Sequence, residues 1–320
     1  MADAFDVPAD PLPTVDQIPR DRYDRPKVVP PGGDKPTPYT RCTTFVDCLE
    51  DKYNLTQWEK RMVAVGLADP GNAHLLLAVV SHAEDKNQLN RICNEAKDSA
   101  KAGAKATTGT ALHALTERYD RGLPLPALPE SAQRDIDAYV RATRELEHVA
   151  IEQFVVNDEL KVGGTPDRVS AYRGELYILD VKTGNVDFGA MKIAMQLAMY
   201  SRSTPYDFSV NARTPWPADV NQDWGIVAHL PAGKGYCELR WIDLRKGWDA
   251  VLVANSVREW RKERSWYRPY EAQPARDYLA EIEEANNVDA LYALYSEAQV
   301  DGHATPELKA RCAQRKKELQ

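Results

Sequence analysis

The sequence predicts a mixed α/β (α+β) fold, in which a central mixed sheet is flanked by helices, with a helical N-terminal part and a helical C-terminal tail. Helix-forming segments bounded by glycine, proline or capping residues fill much of residues 41–120. Alternating, β-branched segments take over between residues 149 and 182. Helical patterns return after residue 188 and again from residue 274, and this succession of elements is typical of the mixed class.

The length and the proline distribution indicate how the chain is divided. Its 320 residues suffice for one large or two modest domains. Residues 1–40 hold nine of the 21 prolines and are predicted to form an extended Pro-rich arm. A main domain is expected over residues 41–273, with a helical part at 41–120 and the functional core at 149–200. Residues 274–320 are expected to form a helical tail.

The helical segments are predicted from apolar periodicity and from their end signals. They lie at 56–66, 73–80, 88–106, 111–121, 131–146, 188–201 and 248–264. Gly66 is interpreted as the stop of the first helix. Segment 108–110 is interpreted as a break between two helices, with Thr110 capping the second. Thr305 and Pro306 are expected to open the last helix of the tail, as an N-cap followed by proline.

The predicted strands share β-branched composition and alternation. They lie at 149–156, 162–172, 175–182, 225–230 and 235–241. Arg173-Gly174 predicts a tight turn between the second and third strands. The last two strands are expected to pair as a hairpin.

Composition and charge exclude several classes of protein. The chain carries 41 Lys and Arg against 48 Asp and Glu, a formal net charge of −7. This balance argues against a generic polyanion binder, although it allows an acidic metal site beside a local basic groove. Hydrophobic residues at 43% and charged residues at 28% are near globular averages, so most of the chain is expected to fold.

The cysteines and the absence of long apolar runs indicate the compartment. The five cysteines are an odd, scattered set without a C-x-x-C pair, so neither a structural zinc nor an iron–sulfur cluster is expected. No apolar run approaches the roughly 18–20 residues that span a bilayer. The first ten residues, MADAFDVPAD, lack the basic and apolar regions of a signal peptide. We therefore expect a cytoplasmic protein that does not associate with membranes.

The most informative segments are Gly164-Thr-Pro-Asp167 and Asp180-Val-Lys182. Cross-strand side chains on adjacent antiparallel strands lie about 4.5–5.5 Å apart, so Asp167 and Asp180 can share one cation. Residues i and i+2 of a strand face the same way, so Asp180 and Lys182 project together, and the Val181 carbonyl can supply a further oxygen ligand. These ligands suit Mg²⁺ or Mn²⁺ better than zinc. Lys182 can hold a nucleophilic water or neutralise a phosphate.

These segments resemble the motifs of the PD-(D/E)XK nuclease superfamily, which implies a restriction-endonuclease-like fold. The branch that the chain resembles most is that of the RecB-like exonucleases, including the CRISPR-associated RecB-like exonucleases and their phage relatives. The matching elements, in order, are Gly109-x-x-x-His113, Glu152, Gly164-x-x-Asp167, Asp180-x-Lys182 and Gln196-x-x-x-Tyr200. They span about 30% of the chain, and their common order is more specific than any one motif.

The resemblance implies a role for each matched residue. The catalytic set would comprise Glu152, Asp167, Asp180, Lys182, Gln196 and Tyr200. The metal ligands would be His113, Asp167 and Asp180, together with the Val181 carbonyl considered above. Lys182 would be the catalytic lysine, and Gln196 and Tyr200 would orient this lysine or the DNA strand. Glu152 would lie just outside the metal shell or ligate occasionally.

Two groups of basic residues are candidates for DNA contact. They are Lys97, Lys101, Lys105, Arg258, Arg261 and Lys262. The three lysines recur every four residues, which places them on one face of the helix predicted at 88–106 and favours a phosphate-tracking role. The arginine-rich group alternates with aromatic residues, which favours binding by charge and stacking. Both groups also fit a solvated helix face without a ligand.

Each candidate also has a structural interpretation. Asp167 follows Gly-Thr-Pro, which is typical of a turn. Asp180 and Lys182 could form a surface ion pair, but Asp180 ends an apolar run, where an unpaired carboxylate is costly. His113 could be a structural helix histidine. His113 and Glu117 do not form a zinc-protease motif, because no second histidine follows at the required spacing.

The expected activity is a metal-dependent DNA exonuclease that hydrolyses phosphodiester bonds with Mg²⁺ or Mn²⁺. Segment 39–45, with 58–61 and 66–68, resembles the N-terminal region of actinobacteriophage exonucleases. This implies a role in phage DNA recombination or repair in the host cytoplasm, beside a single-strand annealing protein. Alternatives are a catalytically inactive DNA-binding module and a structure-selective or restriction-type endonuclease of the same fold. The oligomeric state is left open.

Overall fold

A computed structural model of the protein describes residues 18–100, 104–268 and 276–320. Within these ranges the chain forms two five-stranded sheets, a two-stranded ribbon and eleven α-helices. The strands are β1 Lys27–Val28, β2 Thr37–Pro38, β3 Thr40–Arg41, β4 Glu147–Ile151, β5 Val155–Asn157, β6 Val162–Gly164, β7 Arg168–Tyr172, β8 Glu175–Lys182, β9 Thr204–Asp207, β10 Ala212–Arg213, β11 Trp224–His229 and β12 Glu238–Asp243. The helices are α1 Cys42–Val46, α2 Tyr53–Leu67, α3 Ala73–Ser81, α4 Lys86–Ser99, α5 Ala104–Asp120, α6 Glu130–Thr143, α7 Ala190–Ser201, α8 Leu244–Trp260, α9 Tyr278–Glu284, α10 Val288–Val300 and α11 Pro306–Glu318.

The first sheet, called the central sheet below, has the order β12-β11-β8-β7-β4. Strands β8 and β11 are parallel, and the other neighbours are antiparallel. Helix α7 lies in the connection between the two parallel strands, as a parallel pairing requires a long crossover. The mixed class predicted from the sequence is therefore confirmed.

Helices cover both faces of the central sheet. On one face, Leu176 and Ile178 of β8 pack in a core with residues of α7 and α8. On the other face, Leu179 and Val181 pack with residues of α5 and α6. Because β8 is buried on both faces, its sequence contains a continuous apolar run rather than alternating apolar and polar residues. Asp180 lies within this run and is only 2% exposed.

A second sheet, with the order β10-β9-β5-β6-β3, was not predicted. Its strands are two to four residues long, too short for a clear alternation signal. Val28 and Tyr39 are fully buried and join its core, together with Phe154, Val156 and Tyr206. The described part of the Pro-rich segment, residues 18–40, thus packs against this sheet, while residues 1–17 lie outside the described residues.

The helix predicted at 88–106 and its break at 108–110 are both wrong. Helix α4 ends at Ser99, and α5 runs from Ala104 to Asp120 without interruption, so Thr110 is not a cap. Gly109 lies inside α5, where an added Cβ would stand 2.5 Å from Thr183 Oγ1. The glycine therefore serves the close approach of α5 to the end of β8, which no local pattern reveals.

Gly66 is likewise not a helix stop, because α2 continues to Leu67. A Cβ at Gly66 would lie 1.8 Å from the carbonyl oxygen of Ala96, so the glycine lets α2 and α4 cross in close contact. Among the described residues, no single helix is long and apolar enough to cross a membrane. A bent pair, Tyr53–Leu67 with Pro70–Ser81, passes the same test of length and composition.

Two predicted strands are each divided into two. Segment 149–156 separates into β4 and β5, and segment 162–172 into β6 and β7, so that each pair contributes to both sheets. The predicted turn at Arg173-Gly174 is confirmed, since both residues have positive φ and Tyr172 pairs with Glu175. The predicted hairpin of β11 and β12 is confirmed as well.

The chain divides into two compact units, Met1–Lys262 and Glu263–Gln320. The second unit has a small core of its own, formed by Tyr278, Ile282, Ala285, Leu291, Ala298 and Leu308. The Thr305 hydroxyl accepts a hydrogen bond from the Leu308 N–H at 3.1 Å, and Pro306 begins α11. The predicted opening of the last helix is therefore confirmed.

Candidate metal centre

The central sheet brings three predicted residues from distant parts of the chain together. His113 of α5 lies with its Nε2 atom 3.2 Å from Glu152 Oε1 and 3.4 Å from Asp167 Oδ1. One donor atom from each of the three residues lies within 4.8 Å of the other two. All three side chains are partly exposed. The cluster can therefore hold one metal ion that remains open to a ligand from solvent.

Glu152 reaches the cluster because the backbone changes direction after β4. Its φ of 52° lies in the left-handed region, which is uncommon for a residue other than glycine. The Glu152 N–H donates to the Asp167 carbonyl at 3.0 Å. This bond fixes the bend between β4 and β5 and points the carboxylate toward His113. Because the sequence predicted one continuous strand here, it did not indicate how close Glu152 lies to the cluster.

Asp167 and Asp180 lie across neighbouring antiparallel strands, as the spacing predicted. Arg168, which follows Asp167, pairs with Leu179, which precedes Asp180. Asp167 Oδ2 accepts a hydrogen bond from the Val181 N–H at 2.7 Å. One Asp167 oxygen is thus held by the backbone of β8, while the other faces His113. The ligand role of the Val181 carbonyl stays a prediction.

Asp180 and Lys182 project to the same side of β8. Lys182 Nζ lies 2.5 Å from Asp180 Oδ2. The Asp180 side chain is 3% exposed, whereas that of Lys182 is 31% exposed. The ammonium group therefore stands at the solvent end of a pair whose anion is buried.

Burial and mutual repulsion dominate the electrostatics of the cluster. Burial, followed by the charge of the Asp167 carboxylate, raises the pKa of Asp180 to about 7 against the opposing effects of Lys182 and His113. Burial likewise raises the pKa of Asp167. Burial lowers the pKa of His113, but the Glu152 and Asp167 carboxylates outweigh it, so the net shift is upward. The carboxyl groups of Asp167 and Asp180 are therefore harder to ionise than a free aspartate, whereas His113 keeps its proton to a higher pH than a free histidine.

Gln196 and Tyr200 lie on α7, on the face of the central sheet that Asp180 also faces. The Gln196 amide donates to the Tyr200 hydroxyl at 3.4 Å. Tyr200 is buried, and burial is the main reason why its pKa is raised. The charges of Asp180 and Asp167 raise this pKa further. An added Cβ at Gly164 would lie 2.8 Å from the Tyr200 ring, so this ring packs directly beneath the Gly-Thr-Pro-Asp segment. Both residues thus lie near the cluster, and their catalytic role stays a prediction.

A buried polar network next to the cluster was missed by the sequence analysis. Arg168 is fully buried, and its Nε donates to Asp120 Oδ2 at 2.6 Å. Its Nη1 donates to the Asp167 carbonyl at 2.7 Å and lies 3.7 Å from Glu152 Oε1. Tyr139 also donates to Asp120, at 2.7 Å. The one local signal of this network was that Arg168 directly follows Asp167. The sequence did not indicate that the arginine is buried.

Two of the candidate DNA-binding lysines, Lys97 and Lys105, lie on different helices. Lys97 lies on α4 and pairs with Glu59 at 3.2 Å. Lys105 lies on α5, of which only the backbone is described at this position, and Lys101 lies outside the described residues. The single stripe predicted from the spacing is therefore wrong, because α4 ends at Ser99 between the first and third lysine.

The basic residues around the end of α8 have partners within the chain. Arg258 donates to Thr40 Oγ1 at 3.0 Å and lies over the ring of Phe45. Arg261 contacts Cys48 Sγ at 3.5 Å. Lys262 pairs with Glu259 at 2.6 Å and is exposed. A role in DNA binding stays a prediction for all three.

Comparisons with known proteins agree with the geometry of the central sheet. The comparison with curated proteins gave no match. A family model matches residues 126–204, the part of the chain that holds α6, β4 to β8 and α7 and that supplies every residue of the cluster except His113. The protein therefore contains, over residues 126–204, a region similar to the PD-(D/E)XK nuclease superfamily, and its fold of mixed sheets flanked by helices is consistent with the restriction-endonuclease-like fold of that superfamily.

Proposed function

We propose that the protein is a metal-dependent DNA exonuclease that acts in phage DNA recombination or repair. The observation that carries the proposal is the convergence of His113, Glu152 and Asp167 within 4.8 Å, beside the ion pair of the buried Asp180 with Lys182. A carboxylate-rich metal site with a lysine at its solvent end is suited to the hydrolysis of a phosphodiester. The match to the nuclease superfamily over residues 126–204 supports the same activity.

The residues present fit a divalent cation. Asp180 Oδ2 is buried and has no aligned hydrogen bond among the described residues, although Lys182 lies close to it. Buried charge without full compensation is costly. Three carboxylates, on Glu152, Asp167 and Asp180, converge here, and a cation would offset their repulsion. Carboxylates suit Mg²⁺ and Mn²⁺, and the imidazole of His113 favours the transition metal of the two.

The chain's own groups have distinct tasks in the proposed reaction. When bound, a divalent cation lowers the pKa of water and offsets charge on the scissile phosphate. Lys182 can donate from its exposed end to a phosphate oxygen or to the attacking water. Asp180 holds the ammonium group in place from its buried side. The Asp167 carboxylate is held by the Val181 N–H and keeps a fixed direction toward His113.

The finer parts of the proposal rest on the resemblance of the five motifs to RecB-like exonucleases. These parts are the preference for DNA ends, the phage setting, the host cytoplasm and a single-strand annealing protein as partner. The positions of the motifs on one sheet and its neighbouring helices are compatible with them. A structure-selective endonuclease would share the same cluster, so the kind of DNA that is cleaved must distinguish an exonuclease from an endonuclease.

The test is digestion of end-labelled linear and covalently closed circular DNA, single- and double-stranded, with Mg²⁺, Mn²⁺ or EDTA. The purified protein would be compared with Asp180→Asn, Lys182→Met and Glu145→Gln, the last an exposed carboxylate on another part of the surface. We expect metal-dependent loss of linear DNA only, with Mn²⁺ active at lower concentration than Mg²⁺. Lys182→Met should slow cleavage by roughly 10²–10⁴-fold, whereas Glu145→Gln should cleave normally.

Each alternative has its own signature in the same experiment. Nicking or linearisation of closed circles would show an endonuclease and contradict the exonuclease. DNA binding without cleavage in either metal would show a binding module instead of an enzyme. Equal activity of Asp180→Asn and the unmodified protein would place the reaction away from this cluster.

A further inference from the structure

Two loops lie together beyond the end of β8, next to Lys182. The Leu230 N–H donates to the Lys182 carbonyl at 2.8 Å, and the Ala232 N–H donates to the Thr183 carbonyl at 3.3 Å. His229 Nε2 lies 3.1 Å from the Gly184 carbonyl. Because a carbonyl only accepts, this ring nitrogen must carry the proton. The chain that leaves Lys182 is therefore fastened to the loop between β11 and β12.

A buried carboxylate from α6 fixes the loop between β11 and β12. Asp135 is 2% exposed and accepts hydrogen bonds from the Gly233 N–H at 2.5 Å and the Gly235 N–H at 2.6 Å. Hydrogen bonds to an ionised carboxylate are among the stronger ones in proteins. Lys234, between the two glycines, is exposed. The loop, which is also bonded to the end of β8, thus presents an exposed lysine.

The loop between β8 and α7 presents an aromatic ring. Phe188 is 96% exposed, although Val186 and Ile193 on either side of it are buried in the core. The segment is therefore anchored at both ends, and the phenylalanine ring between these anchors points into solvent. Its neighbour Met191 is 50% exposed and adds apolar surface to the same rim. A ligand that covered this ring would remove its apolar surface from water, which is favourable.

The position of Phe188 along the chain limits its distance from the chemistry. Phe188 follows Lys182 by six positions, so the two Cα atoms are at most about 20 Å apart. A duplex strand advances about 3.4 Å per nucleotide, so this reach corresponds to a few nucleotides of a bound strand. Phe188 and Lys234 thus belong to two neighbouring loops at the end of β8 that carries Lys182.

We propose that Phe188 and Lys234 form an end-gripping site for single-stranded DNA, in which Phe188 stacks on an unpaired base and Lys234 contacts a backbone phosphate. This inference rests on the proposed nuclease function and specifies how its substrate is held. An aromatic ring with a nearby cation is the combination that binds single strands without sequence preference, because every base offers a π-face. A paired base inside a duplex offers no free face, so the site selects frayed or single-stranded ends.

The test measures binding of a single-stranded oligonucleotide in EDTA, so that no cleavage occurs. The oligonucleotide would carry 2-aminopurine near one end, and both fluorescence anisotropy and base fluorescence would be recorded. Phe188→Ala should weaken binding by roughly 5- to 140-fold, the range expected for one stacked base, and should abolish the change in base fluorescence. Phe188→Tyr should retain both. Lys234→Ala should reduce the slope of log K against log salt by about 0.7, as for one phosphate contact on a single strand.

A matched control is Tyr53→Ala, which removes another aromatic ring that is 66% exposed but lies on α2. It should bind DNA normally. If the unmodified protein binds and cleaves DNA while Phe188→Ala binds equally well, the stacking site is wrong and the nuclease proposal stands. If Phe188→Ala changes only the oligomeric state, the ring contacts protein instead of DNA. If the unmodified protein neither binds nor cleaves DNA, both proposals fail.

Discussion

At the scale of single residues, the buried ion pair of Arg168 with Asp120 stabilises the backbone and one carboxylate of the candidate centre. Arg168 is fully buried, and it contacts Asp120, the Asp167 carbonyl and Glu152. The guanidinium group thus holds the backbone that carries one candidate ligand and offsets the charge of another. Lysine has no planar fork of donors and cannot make these contacts together.

Arg168→Met should destabilise the protein strongly. The substitution leaves the Asp120 carboxylate buried without its cation, and loss of one partner of a buried ion pair costs about 3–5 kcal/mol. The double variant Asp120→Asn/Arg168→Met should recover part of this loss, because it removes the unpaired charge. Urea unfolding of both variants gives the free energies. A loss below about 1 kcal/mol for Arg168→Met would show that the pair does not hold this region.

Asp180 should make the metal-free protein less stable as the pH rises. An unfolded aspartate loses its proton near pH 3.8, whereas burial keeps the folded group protonated up to about pH 7. Between these values the folded state binds more protons than the unfolded state, so the free energy of unfolding falls with increasing pH. Asp180→Asn should flatten this slope in EDTA, as measured by urea unfolding at several pH values. The exposed Asp187→Asn serves as control, and equal slopes in all three proteins would contradict the prediction.

At the scale of elements, close packing sets helix positions that local patterns misplace. Helix α5 passes the end of β8 at Gly109, and α2 passes α4 at Gly66. Both glycines carry the local signal of a helix boundary, and both lie inside a helix because a neighbouring element approaches there. The approach of α5 is what brings His113 to Glu152 and Asp167.

Gly66→Ala should weaken the packing of α2 on α4. Its Cβ would collide with the Ala96 carbonyl, which is backbone and cannot rotate away. Overpacking of this kind costs about 1–3 kcal/mol, despite the better helix propensity of alanine. Hydrogen exchange of α4 amides and urea unfolding would measure the effect. Val65→Ala, at the exposed neighbouring position, should change stability by no more than about 0.5 kcal/mol, and an equal loss in both variants would contradict the packing argument.

At the scale of the whole molecule, the candidate centre and its supporting network lie within one compact unit. Residues Met1–Lys262 contain both five-stranded sheets, whereas the described part of Glu263–Gln320 contains three helices around a separate core. The net charge of −7 is distributed over the whole chain. A bound polyanion must therefore rely on local cations such as Lys182 and Lys234 rather than on the overall field.

A chain that ends at Lys262 should keep its fold and its metal-dependent cleavage. Every residue of the candidate cluster and the central sheet is retained, and the core of the removed unit is its own. Circular dichroism, thermal unfolding and the linear-DNA digestion would measure the outcome. Intact secondary structure with lost cleavage would assign the second unit a direct part in substrate binding.

The sequence by itself determined the mixed fold class, the hairpins around Arg173-Gly174 and between β11 and β12, and the pairing of Asp167 with Asp180. These features depend on short-range patterns, namely turn residues, alternation and the period of two along a strand. The order of the motifs also indicated His113 and Lys182 as members of one centre.

Only the tertiary structure decided how close Glu152 lies to the cluster, that Arg168 is buried, and that residues 18–40 pack against a second sheet. The position of the Glu152 carboxylate depends on a left-handed backbone bend that the Asp167 carbonyl holds. The burial of Arg168 depends on its ion pair with Asp120, which lies 48 residues away in the chain. The strands of the second sheet are too short for periodicity to show. Contacts between segments remote in sequence fix each of these features, and local propensity contains no information about them.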